Sequence, residues 1–209
     1  MNINKINQKN LSEQAYGKIK LLILDDLLKP GEKIIQEKMA ERLGISKIPL
    51  IQALSVLRNE RLIEYHPRKG FFVRKISQQE FYELLEIRGS FESLAVEKIS
   101  ENLNNSLKDR LLDFKQKFEQ AVKDKNPSEY FEIDKKFHIY LLEASGNSYL
   151  KHINNSFNIL LLSYTKGFKT KLKESLAYHN RIIEEILKNH PNKASTLIIE
   201  HLEAVKKYF

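Results

Sequence analysis

The chain has no cysteine, so disulfides and thiolate metal sites are excluded, and any bound metal must rely on nitrogen and oxygen ligands. It has no apolar run approaching the roughly 18–20 residues of a membrane span. Its start, MNINKINQKN, lacks the apolar stretch of a secretory signal. A cytoplasmic protein with no membrane association is expected. Glycine and proline are scarce, at seven and five in 209 residues. The few that occur therefore punctuate the chain clearly. The hydrophobic share of 42% is enough for the packed core of one or two domains.

The net charge of +8 is uneven. Residues 1–76 hold 15 Lys and Arg against 8 Asp and Glu, whereas residues 77–209 hold 20 against 19. A basic excess confined to one part of a chain is the footprint of phosphate binding.

Residues 16–74 carry the most telling pattern. Ser12 is placed to cap a first helix, whose apolar positions Ala15, Ile19, Leu22, Ile23 and Leu27 recur at helical spacing. Pro30-Gly31 ends it. A second helix is expected from about Gln36 to Leu43, closed by Gly44, which tolerates a left-handed backbone. Ser46 is expected to cap a third helix. Pro49 falls in its first turn, where a missing N–H costs little. Leu50, Leu54 and Leu57 form its buried stripe and leave Lys47, Ile51, Gln52 and Ser55 outward. Leu62–His66 and Phe71–Arg74 read as strands joined by the turn Pro67-Arg68-Lys69-Gly70. Two short helices, a tight turn and a basic hairpin make a winged helix-turn-helix, which places one helix in the DNA major groove.

Ser77 and Glu80 form a capping box ahead of an apolar run. The domain boundary is set there: 1–76 as the DNA-binding domain and 77–209 as an all-helical domain. The short linker should couple them mechanically. Six helices are expected beyond it, at about 78–100, 106–124, 127–145, 147–168, 172–189 and 193–208. Asn126-Pro127 starts the third, Gly146 ends it, and Pro191 lies between the last two. The fold class is mainly α, a winged helix-turn-helix followed by a helical bundle.

The stretches LKPGEKI, MAERLGISKIPLIQAL, LRNERLIEY and HPRKGFFV resemble the GntR family of bacterial transcription regulators. EIRGSFESLAVEKI, DKKFHIYLLEASGNSYL and HNRIIEEILKNHPNKASTLIIEHL resemble the all-helical FCD effector domain of its FadR-like branch. The resemblance runs from about residue 12 onward, and six helices after the boundary make the shorter VanR-like subgroup the nearest. It implies a cytoplasmic homodimer that reads a palindromic operator in double-stranded DNA. It also implies a small organic acid effector bound in the helical domain, and most often repression.

By the same resemblance the DNA contacts are Ser46, Lys47, Ile48, Ile51 and Gln52 on the third helix and Arg68, Lys69 and Gly70 in the wing. The family usually has Ser-Arg-Thr-Pro-Val-Arg-Glu-Ala-Leu where this chain has Ser46-Lys47-Ile48-Pro49-Leu50-Ile51-Gln52-Ala53-Leu54. Lys47 keeps a charge but loses the planar fork that reads guanine with two bonds. Ile51 removes a second arginine, which either relaxes specificity or brings an apolar group to a thymine methyl. An operator unlike the family's usual one, richer in A·T, is expected. Arg61 stands where the family usually has glycine.

In the second domain, Asp134 and His138 are four apart on one expected helix and share a face. His179 and His201 lie on the last two helices. Three of the six histidines thus fall where FCD domains bind metal, and the resemblance assigns Asp134, His138, His179 and His201 as ligands. Three imidazoles and one carboxylate suit zinc, nickel, manganese or iron as the divalent ion. Arg88 is assigned to the effector's carboxylate, against the plainer reading of a helix ion pair with Glu92. His66, His152 and His190 have no family role, although His66 adjoins the wing. Asn147 is expected to start a helix. Two further readings remain: a metal that is purely structural or is itself the signal, and a metal-dependent hydrolase. The hydrolase reading lacks a placed base, since Glu143 lies five residues past His138.

Overall fold

Ala15, Ile19 and Ile23 recur every fourth residue, and all three are buried along α1 (Leu11–Leu24). They are seen in a computed structural model that describes residues 11–150, 152, 153 and 171–208. The chain divides into two units, Met1–Lys75 and Ile76–Phe209.

In the first unit α1 is followed by β1 (Lys33–Ile34), α2 (Gln36–Leu43), α3 (Lys47–Asn59), β2 (Ile63–His66) and β3 (Gly70–Val73). Gly44 adopts φ +64 and closes α2, with its neighbour Ile45 donating to the Ala40 carbonyl at 3.1 Å. α3 buries Leu50, Ala53, Leu54 and Leu57 completely against α1. Each fully buried leucine contributes on the order of 1.5–3 kcal/mol. At one end of this interface the Tyr16 hydroxyl donates to Glu60 Oε1 at 2.6 Å, and Lys20 Nζ reaches Glu60 Oε2 at 3.0 Å. The strands form an antiparallel sheet in the order β1-β3-β2, with Lys33 opposite Phe72 and His66 opposite Gly70. The hairpin turn is closed by Lys69 N–H donating to the His66 carbonyl at 3.0 Å, with Arg68 left-handed at φ +64.

The second unit holds α4 (Gln78–Glu101), α5 (Asn105–Lys123), α6 (Pro127–Ala144), α7 (Leu172–Leu187) and α8 (Pro191–Val205), followed by a 3-10 turn, Lys206–Tyr208. The Ser77/Glu80 capping box opens α4 with both of its bonds made. Asn126 caps α6, accepting from the Glu129 N–H at 3.2 Å. The Asn147 side chain accepts from the Tyr149 N–H at 3.0 Å, as a helix start requires. One core joins all five helices, with Phe81, Phe118, Tyr130 and Phe137 among its largest buried side chains.

Several local expectations need correction. Ser12 lies within α1 as described, not at its cap. α1 stops at Leu24, before Pro30, and the turn that follows exposes Leu27 and buries Leu28. Ser46 has the extended N-cap backbone but makes no side-chain capping bond. β1 was not foreseen. Pro191 begins α8 rather than separating helices, because its fixed φ and missing N–H suit the first helical position. The helix expected at 147–168 lies, beyond its first residues, outside the described residues.

Arg61 explains how α3 ends. The Leu62 N–H donates to the Leu57 carbonyl at 2.9 Å and the Arg61 N–H to the Arg58 carbonyl at 2.9 Å. This paired closure is the Schellman pattern, and it holds Arg61 at φ +59. A non-glycine residue in that region carries a steric penalty of roughly 1–2 kcal/mol. Arg61→Gly is therefore expected to stabilise the first unit by about 1 kcal/mol, after the greater chain entropy of glycine is counted. The measurement is a urea midpoint at unchanged slope. An unchanged or lower midpoint would contradict the assignment of strain to this residue.

Candidate functional site

Three of the buried helix stripes contain a histidine where an aliphatic residue would ordinarily sit. On α6 the buried set is Tyr130, Ile133, Phe137, His138, Leu141 and Leu142. On α7 it is His179, Ile182, Ile183 and Ile186, and on α8 His201 follows Leu197 and Ile198. The spacing that builds the core thus also drives three imidazoles into it, and Asp134 lies one turn before His138. One ligand atom from each of Asp134, His138, His179 and His201 lies within 4.8 Å of the other three.

The separations decide what this cluster fits. His179 Nε2 is 3.4 Å from His138 Nε2 and 3.2 Å from Asp134 Oδ1, and His138 Nε2 is 3.6 Å from the same oxygen. Two ligands each about 2.1 Å from one ion, at a tetrahedral angle, lie roughly 3.4 Å apart. The donor set therefore fits a divalent ion with nitrogen and oxygen preference.

The outer nitrogens are also engaged. His138 Nδ1 is 2.6 Å from Glu92 Oε2, and His179 Nδ1 is 2.9 Å from the Tyr130 hydroxyl. An ionised carboxylate only accepts, so Glu92 takes the Nδ1–H of His138 and leaves Nε2 turned toward Asp134 and His179. Phe118 stacks on His179 with centroids 4.3 Å apart and fixes its plane. Glu92 is fully buried on α4 and also ion-pairs with Arg88 Nε.

Electrostatics follow from that packing. Burial opposes ionisation of Asp134, yet the His138 and His179 imidazoles hold its carboxyl well below the usual range. Burial likewise opposes a charged Glu92, and Arg88 with His138 outweighs it, keeping Glu92 ionised. Burial pushes His179 down, and it pushes His201 well down, aided by the neighbouring histidines. Both are thereby favoured in the neutral form a metal needs. Burial and Arg88 lower His138, but Glu92 and Asp134 raise it further. Burial and Asp134 push the Tyr130 hydroxyl up, so it stays protonated.

Glu92 and Tyr130 escaped sequence reasoning as partners of the histidines. The signal was present for Glu92, a charged residue in line with Phe81, Leu85, Gly89 and Val96 on the buried face of α4. Arg88 takes up the ion pair with Glu92, and the pair is buried rather than solvated. Among the other histidines, His66 pairs with Glu64 at 3.0 Å and His190 with Glu185 at 2.8 Å, while His152 is exposed.

In the first unit Ser46, Lys47, Ile48, Ile51 and Gln52 are all exposed at the start of α3. Lys47 Nζ pairs with Glu37 Oε1 on α2 at 2.8 Å. Arg68 and Lys69 are exposed at the hairpin turn, and Gly70 opens β3 at φ +94. Among the described residues no helix is long and apolar enough to cross a membrane.

Comparison with known proteins agrees with both halves. Residues 11–73 match the family of bacterial regulatory proteins called the gntR family, and residues 83–204 match the FCD domain. The HTH-type transcriptional regulator YdhC of Bacillus subtilis is 27% identical over 90% of this chain and 86% of its own length. The gluconate operon transcriptional repressor of Bacillus licheniformis is 24% identical over 85% and 75%. The solved structure of Escherichia coli McbR/YncC superposes with a TM-score of 0.79 at 20% identity, covering 96% of this chain and 98% of the other. That likeness establishes the shared fold.

Outer partners of metal-bound histidines commonly set affinity by 10–100-fold. Tyr130→Phe is expected to weaken divalent-metal binding by about that factor, measured by competition with a chromophoric chelator. Unaltered affinity would show that the Tyr130 hydroxyl does not orient His179 for a metal.

Proposed function

The chain belongs to the GntR family of bacterial regulators and carries an FCD domain, and from that premise we propose that it is a homodimeric repressor switched by a small organic acid. It is a DNA-binding transcription regulator, and its relatives are regulators rather than enzymes. In this reading residues 1–76 bind DNA, and residues 77–209 hold the effector and the dimer contact. Two winged helices read the two halves of a palindrome. Ser46, Lys47, Ile48, Ile51 and Gln52 meet the major groove, and Arg68, Lys69 and Gly70 meet the backbone or the minor groove. The protein works in the cytoplasm, where its DNA is. The repressor sense is supported by the relative named for repression of the gluconate operon.

The observation that carries the effector reading is the buried cluster of Asp134, His138, His179 and His201, with Arg88 joined to it through Glu92. A divalent ion held there would supply an electrophilic anchor for a carboxylate. Arg88 would supply the second, hydrogen-bonding anchor. For a switch, the acid must bind one arrangement of the paired DNA-binding units better than the other.

A second reading keeps DNA binding and makes the metal structural, or the signal itself. It is favoured by the pairing of Arg88 with Glu92, which already neutralises the cation. Operator affinity measured across a panel of carboxylates, with the metal present and after chelation, separates the two. The effector reading expects an acid-dependent change of at least several-fold that chelation abolishes. A change on chelation alone supports the metal as signal, and loss of the helical fold on chelation supports a structural role.

Lys69→Ala is expected to weaken binding about equally on all DNA sequences and to lower the salt slope by about one. The check is a titration against salt concentration. Loss of discrimination between sequences at an unchanged slope would place Lys69 on bases rather than phosphates.

A further inference from the structure

The face that α3 turns to solvent is largely uncharged, with exposed isoleucines at its start. From Ile48 to Leu57 the helix carries no charged side chain, in a chain that is 30% charged. Its buried side is complete with Leu50, Ala53, Leu54 and Leu57, all fully enclosed. The opposite side centres on Ile48, Gln52 and Ser55, with Ile51 and Val56 flanking. Ile48 is 71% exposed and Ile51 43%. The Ser55 hydroxyl is turned back onto the Ile51 carbonyl at 2.9 Å. The one cation at the helix start, Lys47, is engaged by Glu37.

Isolated apolar residues on a surface need no explanation. Two isoleucines three positions apart, at the start of the major-groove helix of a basic unit, are a different case. They offer neither donors nor acceptors, so they contribute nothing to guanine or cytosine edges. The one methyl group on a base edge in the major groove is the thymine 5-methyl. We infer that Ile48 and Ile51 are specificity-determining residues that read thymine methyl groups, with Gln52 supplying the adjacent hydrogen-bonded contact to adenine. This deepens the DNA-binding assignment by naming the chemical group each half-site presents.

The occupant of this face is DNA rather than a second protein on the ground of charge. Residues 1–76 hold 15 Lys and Arg against 8 Asp and Glu, and Arg68 and Lys69 stand exposed in the same unit.

The test begins with selection of bound sites from random DNA by the full-length protein. Each thymine of the best site is then replaced by uracil, which removes the 5-methyl and keeps every hydrogen-bonding group. Wild-type affinity is expected to fall about fourfold per methyl read, the equivalent of one buried methylene. In Ile48→Ala and Ile51→Ala the penalty at the corresponding thymine should vanish while the other persists. Both residues are exposed and alanine favours helix, so neither variant threatens the fold. Half-sites without thymine, a uracil series with no effect, or penalties that survive both substitutions would overturn the proposal. A chain that selects no DNA at all would overturn it together with the DNA-binding assignment, and that outcome is distinct from the other three.

Discussion

The second unit depends on one constraint, that ionisable groups placed inside an apolar bundle must satisfy one another. His138, His179 and Glu92 lie within the core, and Asp134 faces into it. A single buried charge without a partner would cost several kcal/mol. The arrangement meets that cost by a chain of contacts: Arg88 to Glu92, Glu92 to His138, the imidazoles around Asp134, and Tyr130 to His179. The inner edge of the chain is a set of ligand atoms at metal-binding separation. A divalent cation there would draw Asp134 and the three imidazoles into one set of ligands.

The first unit is governed by a different balance. Its scaffold is conventional, with an apolar stripe on α3 against α1, a glycine closing α2 and a two-stranded wing extended by β1. Strain is admitted at Arg61 and Arg68, both left-handed without being glycine. Arg68 puts an exposed cation at the hairpin tip. Arg61 ends α3 at a cost that packing of Leu57 and Leu62 offsets. What departs from convention is the exposed side of α3, which carries no charged residue from Ile48 to Leu57.

Much of the fold was legible because periodicity reports burial. α2 runs from Gln36 to Leu43 as the sequence pattern indicates, and the Ser77/Glu80 box and the Asn126 cap form where their residue types stand. The misses are equally physical. β1 is two residues long and too short to show a period. Leu27 and Leu28 are indistinguishable by type, and only the turn after Leu24 decides which is buried. Ser46 looks like a capping residue, but composition cannot say whether its hydroxyl turns inward. In the candidate site, the histidines and Asp134 were visible through helical spacing and resemblance. Glu92 and Tyr130 were not, because their partners are 46 and 49 residues away and meet them only in the packed bundle.

The central claim is that the buried cluster of Asp134, His138, His179 and His201 is a metal centre. Native mass spectrometry of the full-length protein, with elemental analysis of the same sample, measures it directly. The expected result is one divalent ion per chain, lost in His179→Ala. A folded protein that takes up none of zinc, nickel, manganese or iron after equilibration with each would contradict it.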